Sequence, residues 1–255
     1  METDPTTAPS VAYYDGFWKR FRASSSIHPA NLYRYELVRH AILKYASGAT
    51  VLVDFGCGNG TLIGHLQGST SIRQFLGVDA SVEIVKANQQ LLPDAKFSQA
   101  DLQVELTDNF RELADVVICC EVIEHLGVYQ PLLRSAAKAL RKDGVFILTT
   151  QGGKRRRHDI ELLGHVRHFR LAELAADVQQ AGFVILEQRQ CGFPILNLQK
   201  IMASLFLNRV KTELASESEP SALFQLACKV VGVGLRVSSR WHGPQLLIVA
   251  RRAEL

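Results

Sequence analysis

The sequence predicts an α/β fold, a doubly wound and mostly parallel sheet of seven strands with helices on both faces. Three observations carry this. Short apolar runs of strand length alternate with amphipathic segments of helical length, the pattern of parallel strands joined by crossover helices. A glycine turn, "DFGCGNG", follows the first run. Acidic residues close each of the first four runs, at Asp54, Asp79, Asp101 and Glu121.

The strands are expected at 50–55, 75–79, 95–101, 115–121, 144–150, 183–191 and 244–253. Between them, "SVEIVKANQQLL" (81–92) offers Ser81 as a cap and sets Val82, Val85 and Gln89 on one side. "YQPLLRSAAKALRKDG" is amphipathic and is expected to stop at Gly144, and 170–182 supplies a further helix. About fifty residues separate the last two strands, too many for a plain loop, so the segment is expected to carry helices of its own. In it Ile195, Leu198, Ile201, Met202, Leu205 and Val210 recur at helical spacing, and "SALFQLACKVVGVGLRV" follows a polar break, "SESEPS". Lys200, Arg209, Lys229 and Arg236 interrupt these stretches, which argues against a transmembrane span. Three readings stay open: a cap over an apolar substrate, a homodimer surface, or an amphipathic patch resting on a membrane.

Composition sets the class. With 47% hydrophobic and 21% charged residues, the 255-residue chain is expected to fold as a soluble globular protein. "METDPTTAPS" reads as a loose tail without the basic and apolar blocks of a signal peptide. The cysteines stand at 57, 119, 120, 191 and 228 with no CxxC pair, so neither a disulfide framework nor a zinc knuckle is indicated and a cytoplasmic, reducing setting is expected. The net charge of +4 is mild, but cations cluster in "GGKRRRHDIELLGHVRHFR", which is open to nucleic acid, a phosphorylated substrate or water.

A glycine turn between a first strand and a first helix lets a ligand approach the backbone closely. Here the glycines fall at 56, 58 and 60, a poor fit to the dinucleotide fingerprint, and Asp54 would repel a pyrophosphate while welcoming an ammonium or sulfonium. The carboxyl ends of parallel strands line the ligand crevice, so the four acids are expected to converge. Asp79, some twenty residues past the turn, has the spacing for a ribose diol; Asp101 is placed for an adenine amino group and Asp54 for an amino acid ammonium. The ligand read from these residues is a nucleoside with an amino acid and a positive centre, without phosphate.

"VDFGCGNG", "LGVDAS", "QADL", "CCEVIEHL" and "LRKDGVFILTT", in that order, resemble the class I S-adenosylmethionine-dependent methyltransferases over about residues 45–190. The resemblance implies a Rossmann-like sheet whose last strand is antiparallel and inserts between the fifth and sixth. It implies that Asp54, Gly56, Cys57, Gly58 and Gly60 cradle the methionine part and Asp79 holds the ribose. Ala80 and Ser81 would flank the adenine, Asp101 and Leu102 would cover its amino edge, and Glu121 would border the same pocket. Residues 13–21 and 27–38 resemble the lid that precedes this fold, with Tyr13, Tyr14 and His28 as pocket candidates against ordinary helix packing. The expected organisation is a tail and lid at 1–45, a cofactor-binding domain at 46–192 and 243–255, and a helical insertion at 193–242.

The acceptor end is read from "EVIEHL". If that segment is helical, Glu121, Glu124 and His125 share a side, and two carboxylates and an imidazole suit a divalent ion given a fourth ligand. His165 is the candidate for that ligand, with His168 nearby. A similar set in ubiquinone-biosynthesis O-methyltransferases and terminal RNA 2′-O-methyltransferases is tied to a metal. The alternatives are that His125 and His165 position or deprotonate the acceptor without a metal, or that the motif is structural. Arg156 and Arg157 could meet a phosphate on the acceptor. The expected function is methyl transfer, at oxygen, to a small or lipid-like acceptor. The alternatives are ribose methylation of RNA, disfavoured because no added RNA-binding segment is seen, and a non-catalytic cofactor-binding partner.

Overall fold

The computed structural model describes residues 10–16, 26–215 and 222–253; most of the tail and the "SESEPS" break lie outside these. The described chain carries a helical turn at 11–16 and then α1 (Pro29–Tyr45), followed by β1 (Val51–Phe55), α2 (Thr61–Leu66), β2 (Gln74–Asp79), α3 (Val82–Leu91), β3 (Lys96–Gln99) and β4 (Ala114–Cys120). After these come α4 (Gln130–Ala139), β5 (Leu140–Gln151), α5 (Arg157–Glu161), α6 (Leu171–Gln180) and β6 (Phe183–Cys191). The inserted helices α7 (Ile195–Leu205), α8 (Leu207–Ala215) and α9 (Ala222–Arg236) lead to β7 (Gln245–Arg252).

The strands form one sheet in the order β3-β2-β1-β4-β5-β7-β6. β1 to β5 are parallel, and β7 runs antiparallel between β5 and β6. This is the Rossmann-like arrangement expected from the motif order. β1, with every residue buried, is a central strand covered on both faces. One core lies on the side of α4 and α6, built on Val53, Phe55, Leu132, Leu140 and Leu174. The other lies on the side of α1 and α2, built on Leu52, Ile63, Ile118 and Val38.

Two local expectations are corrected. The helix expected to run to Gly144 ends at Ala139, and Leu140 already pairs with Ala114. Val145 next pairs with Val116, so residues 141–144 bulge, with Asp143 in the left-handed region at φ 61°. In α3 the buried residues are Ile84 and Asn88, not Val82, Val85 and Gln89. Asn88 turns inward because its side-chain amide donates to the Gly58 carbonyl at 2.6 Å, holding the glycine turn from behind.

No helix among the described residues is long and apolar enough to cross a membrane.

Candidate active site

The carboxyl ends of β1, β2, β4 and β5 open into a cavity of about 610 Å³, a size typical of small-molecule sites. Asp54, Gly56, Cys57, Gly58, Asp79, Ala80, Asp101, Leu102 and Glu121 all line it. Gly60 and Ser81 do not. Gly60 caps α2 in the left-handed conformation (φ 74°), and Ser81 is fully buried, where its hydroxyl accepts from the Ile84 amide and donates to Asp15. Both shape the turns around the cavity.

The turn is tied to β2. Asp79 accepts the Gly58 amide at 2.9 Å and the Ser81 amide at 3.0 Å, so one carboxylate positions both loops. Gly56, at φ 75°, lies so close to Val122 that a Cβ would stand 2.4 Å from a valine methyl. Asp54 is almost fully buried, and burial followed by the Asp79 charge pushes its carboxyl up to about 8. A cation entering beside it would favour the charged form. Asp101 is exposed at the rim and accepts the Gln103 amide at 2.9 Å.

Glu121 follows β4 in the left-handed region at φ 59°, an uncommon conformation for a residue with a Cβ. Its carboxylate accepts from Gln151, from Gln245 at 2.8 Å and from Thr149 at 3.2 Å, with Arg34 at 3.7 Å. Burial raises its pKa, but Arg34 and the amides outweigh this and hold it below the ordinary value. Arg34 reaches this point from α1, where sequence periodicity did not single it out.

"EVIEHL" does not form an α-helix. Ile123–His125 is a single 3-10 turn, so the expected shared side does not exist and Glu121 parts from the histidines. Ligand atoms of Glu124, His125 and His165 lie within 4.8 Å of one another, as do those of Asp159, His165 and His168. Glu121 belongs to neither group. Glu124 is fully buried, its Oε2 accepting from Thr150 at 2.7 Å; burial, then Glu121, raises its pKa. Burial pushes His125 and His168 down to about 4 and lowers His165, so all three imidazoles are neutral at physiological pH.

Sequence reasoning missed Asp159 and Lys200. Asp159 is fully buried; Lys200, from α7, lies 3.3 Å from its Oδ1 and donates to Gln151 at 2.9 Å. His158 and His165 approach the same oxygen at 3.1 and 3.9 Å. The only sequence signal for Lys200 was a charge inside an apolar stripe. The basic run is partly consumed internally: Arg155 donates to the His165 and Val166 carbonyls and Arg157 to Glu161. Of the lid candidates, Tyr14 and His28 line the cavity, while Tyr13 donates to the Leu162 carbonyl.

Several cavity-lining side chains hold a buried polar atom without a hydrogen-bond partner among the described residues: Tyr14 Oη, His28 Nδ1, His125 Nδ1 and Gln199 Oε1. Glu124 Oε1 is in the same condition. Each such atom costs roughly 1–3 kcal/mol, so the cavity is suited to receive polar groups. The oxygen of Glu124 and the nitrogens of His125 and His165 are also a donor set that fits a first-row divalent ion.

Comparison with known proteins decides the family. Residues 30–188 match a family described as a methyltransferase domain, well over half of the chain. The chain belongs to that family, the class I S-adenosylmethionine-dependent methyltransferases. The methyltransferase is 27% identical over 140 residues to the ubiquinone biosynthesis O-methyltransferase of Neisseria meningitidis serogroup A, covering 53% of this chain and 57% of that one. It thus spans little more than half the length of this curated relative. Its fold resembles the S-adenosylmethionine-dependent methyltransferase of Mesorhizobium loti, with TM-score 0.55, 18% identity and coverage of 85% and 96%. It also resembles the phosphoethanolamine N-methyltransferase 2 of Haemonchus contortus, solved with S-adenosyl-L-methionine, with TM-score 0.55, 14% identity and coverage of 89% and 57%.

Proposed function

We propose that this methyltransferase transfers the methyl group of S-adenosylmethionine to an oxygen of a small, lipid-like acceptor. One observation carries the reading: a single cavity is lined at one end by the glycine turn with Asp54 and Asp79, and past Glu121 by His125 and His165 with Leu162, Leu163 and Leu196 and the Lys200–Asp159 pair. A cationic nucleoside suits the first end, a hydroxyl on an apolar body the second. The O-methyltransferase name of the curated relative supports an oxygen acceptor.

In this reading Gly56, Cys57 and Gly58 let the methionine part of the donor approach the backbone, and Asp54 faces its positive charge. Asp79 receives the ribose diol, Asp101 and Leu102 cover the adenine edge, and Ala80 lies against the ring. Glu121, fixed by Arg34 and two glutamines, closes the floor between donor and acceptor.

The donor brings an electrophilic methyl group on a sulfonium, so the protein's main task is alignment. Without an ion, the neutral imidazole of His125 takes the proton of the acceptor hydroxyl as its oxygen bonds to the methyl carbon and the donor sulfur leaves as a thioether, while His165 beside it positions the acceptor. Leu162, Leu163, Leu196 and Ala203 exclude water from that end. Glu124, His125 and His165 would hold a divalent ion, which supplies Lewis-acid polarisation of the hydroxyl.

A labelled-methyl assay over phenols, sugars, amines and alkylated phenols tests this. Turnover of an apolar-tailed hydroxyl compound is expected; turnover of amines alone would overturn it.

A further inference from the structure

Three residues of the apolar stripe of α7, which the sequence leaves open to a role as substrate cap, dimer surface or membrane-facing patch, face outward. Leu198, Met202 and Leu205 are 57%, 45% and 70% exposed, and Phe206 follows at 53%. The opposite side of the same helix lines the cavity through Leu196, Gln199, Lys200 and Ala203. At about 100° per residue these two sets occupy opposite faces, so α7 is a wall one helix thick between the cavity and the surface.

α9 repeats the design. Its inner face packs Val231 and Leu235 against Leu196 of α7 and Ala30 of α1. Its outer face presents Leu226, Val230, Val233 and Val237, from 58% to 86% exposed, and Trp241 follows at 70%. Their spacing of four, three and four residues makes one continuous stripe. So much contiguous apolar surface is unusual for a face left in water.

Charge identifies what covers it. Segments 193–212 and 222–243 hold Lys200, Arg209, Lys211, Lys229, Arg236 and Arg240, while the three carboxylates of the insertion, Glu213, Glu217 and Glu219, fall between them at the end of α8 and in the break after it. Lys200 turns inward to Asp159, and Lys211 pairs with Glu161. Arg209, Lys229, Arg236 and Arg240 are exposed beside the stripes. A shallow cleft of about 230 Å³ sets Arg209 beside Leu205 and Phe206, with Arg157 on the same lining held by Glu161. A guanidinium beside an apolar step suits a phosphate above acyl chains. A second copy of this surface would bring like charges together.

We propose that the outer faces of α7 and α9 dock on the surface of an anionic phospholipid bilayer. The apolar stripes enter the acyl boundary, Trp241 sits at headgroup level, and the arginines and Lys229 meet lipid phosphates. This rests on the lipid-like acceptor reading, because docking places the cavity one helix away from a membrane-dissolved substrate.

Co-sedimentation of the full chain with phosphatidylcholine vesicles, with and without phosphatidylglycerol, tests the proposal. Binding to the anionic vesicles is expected, falling as salt rises, with little binding to the neutral ones. The double variants Val230→Asp/Val233→Asp and Leu198→Asp/Leu205→Asp should bind about tenfold more weakly or worse. Circular dichroism and calorimetric titration with S-adenosylmethionine, run on the same samples, should show an unchanged fold and donor affinity. A wild-type chain that stays in the supernatant with anionic vesicles overturns the proposal, as do double variants that bind like wild type. A dimer that these substitutions convert to monomer overturns it in favour of a second copy. Donor binding without vesicle binding defeats docking alone, whereas loss of donor binding in the wild type defeats the functional reading.

Discussion

The ammonium of Lys200 stands 3.3 Å from Oδ1 of Asp159, joining the inserted helix α7 to the short helix α5 through an ion pair in which the carboxylate has no exposure. Removing one partner leaves the other charge buried, which typically costs ~3–5 kcal/mol. Lys200→Met and Asp159→Asn should each lower the Tm markedly, and the double substitution should recover part of the loss. Thermal melts of all three check this. Single variants that melt like wild type would show that the pair holds nothing together.

Asp54 makes donor-free stability depend on pH. Its pKa, pushed to about 8 by burial and Asp79, lies far above its value in an unfolded chain, so the folded state binds the extra proton. Its contribution is therefore complete below about pH 4 and is lost as pH rises toward 8. Asp54→Asn should remove this slope, becoming more stable than wild type by roughly a few kcal/mol near pH 8. The same substitution should weaken donor binding. Denaturant titrations at pH 5, 6.5 and 8 provide the check; equal slopes for the two proteins would refute it.

Asp79 holds two amides of the turn and faces the proposed ribose site. Asp79→Ala leaves both N–H groups without their acceptor and removes the diol contact. Donor affinity should fall about a hundredfold, from two charge-assisted hydrogen bonds at ~1.5 kcal/mol each. Calorimetry measures it, and a Kd within a factor of about three of wild type would be incompatible with the assigned role.

For the imidazole cluster, excess chelator should reduce turnover more than about tenfold, with recovery on adding Mg, Mn or Zn. Glu124→Gln and His165→Ala should lose the recovery while donor affinity, measured separately, is retained. Full activity in chelator would leave the histidines to act alone.

The α/β alternation, the glycine turn and the acids at the strand ends were legible because they depend on local periodicity and on where parallel strands terminate. Asp54, Asp79 and Asp101 could be assigned to one crevice before any contact was known. The acceptor end was less legible. "EVIEHL" has helical spacing, yet the left-handed residue Glu121 and the 3-10 turn after it send Glu121 toward Arg34 and leave Glu124 with the histidines. That outcome depends on a partner from α1, eighty-seven positions away, which no local pattern encodes.

By itself the sequence determined the sheet, its order by resemblance, and the chemical character of the donor end, since each follows from side-chain alternation and from residues adjacent in the chain. Tertiary structure alone decided which face of α7 meets the cavity, that Asn88 braces the glycine turn, and that Asp159 and Lys200 meet. A helical stripe shows only that one side differs from the other; which side is buried is decided by the elements that pack against it.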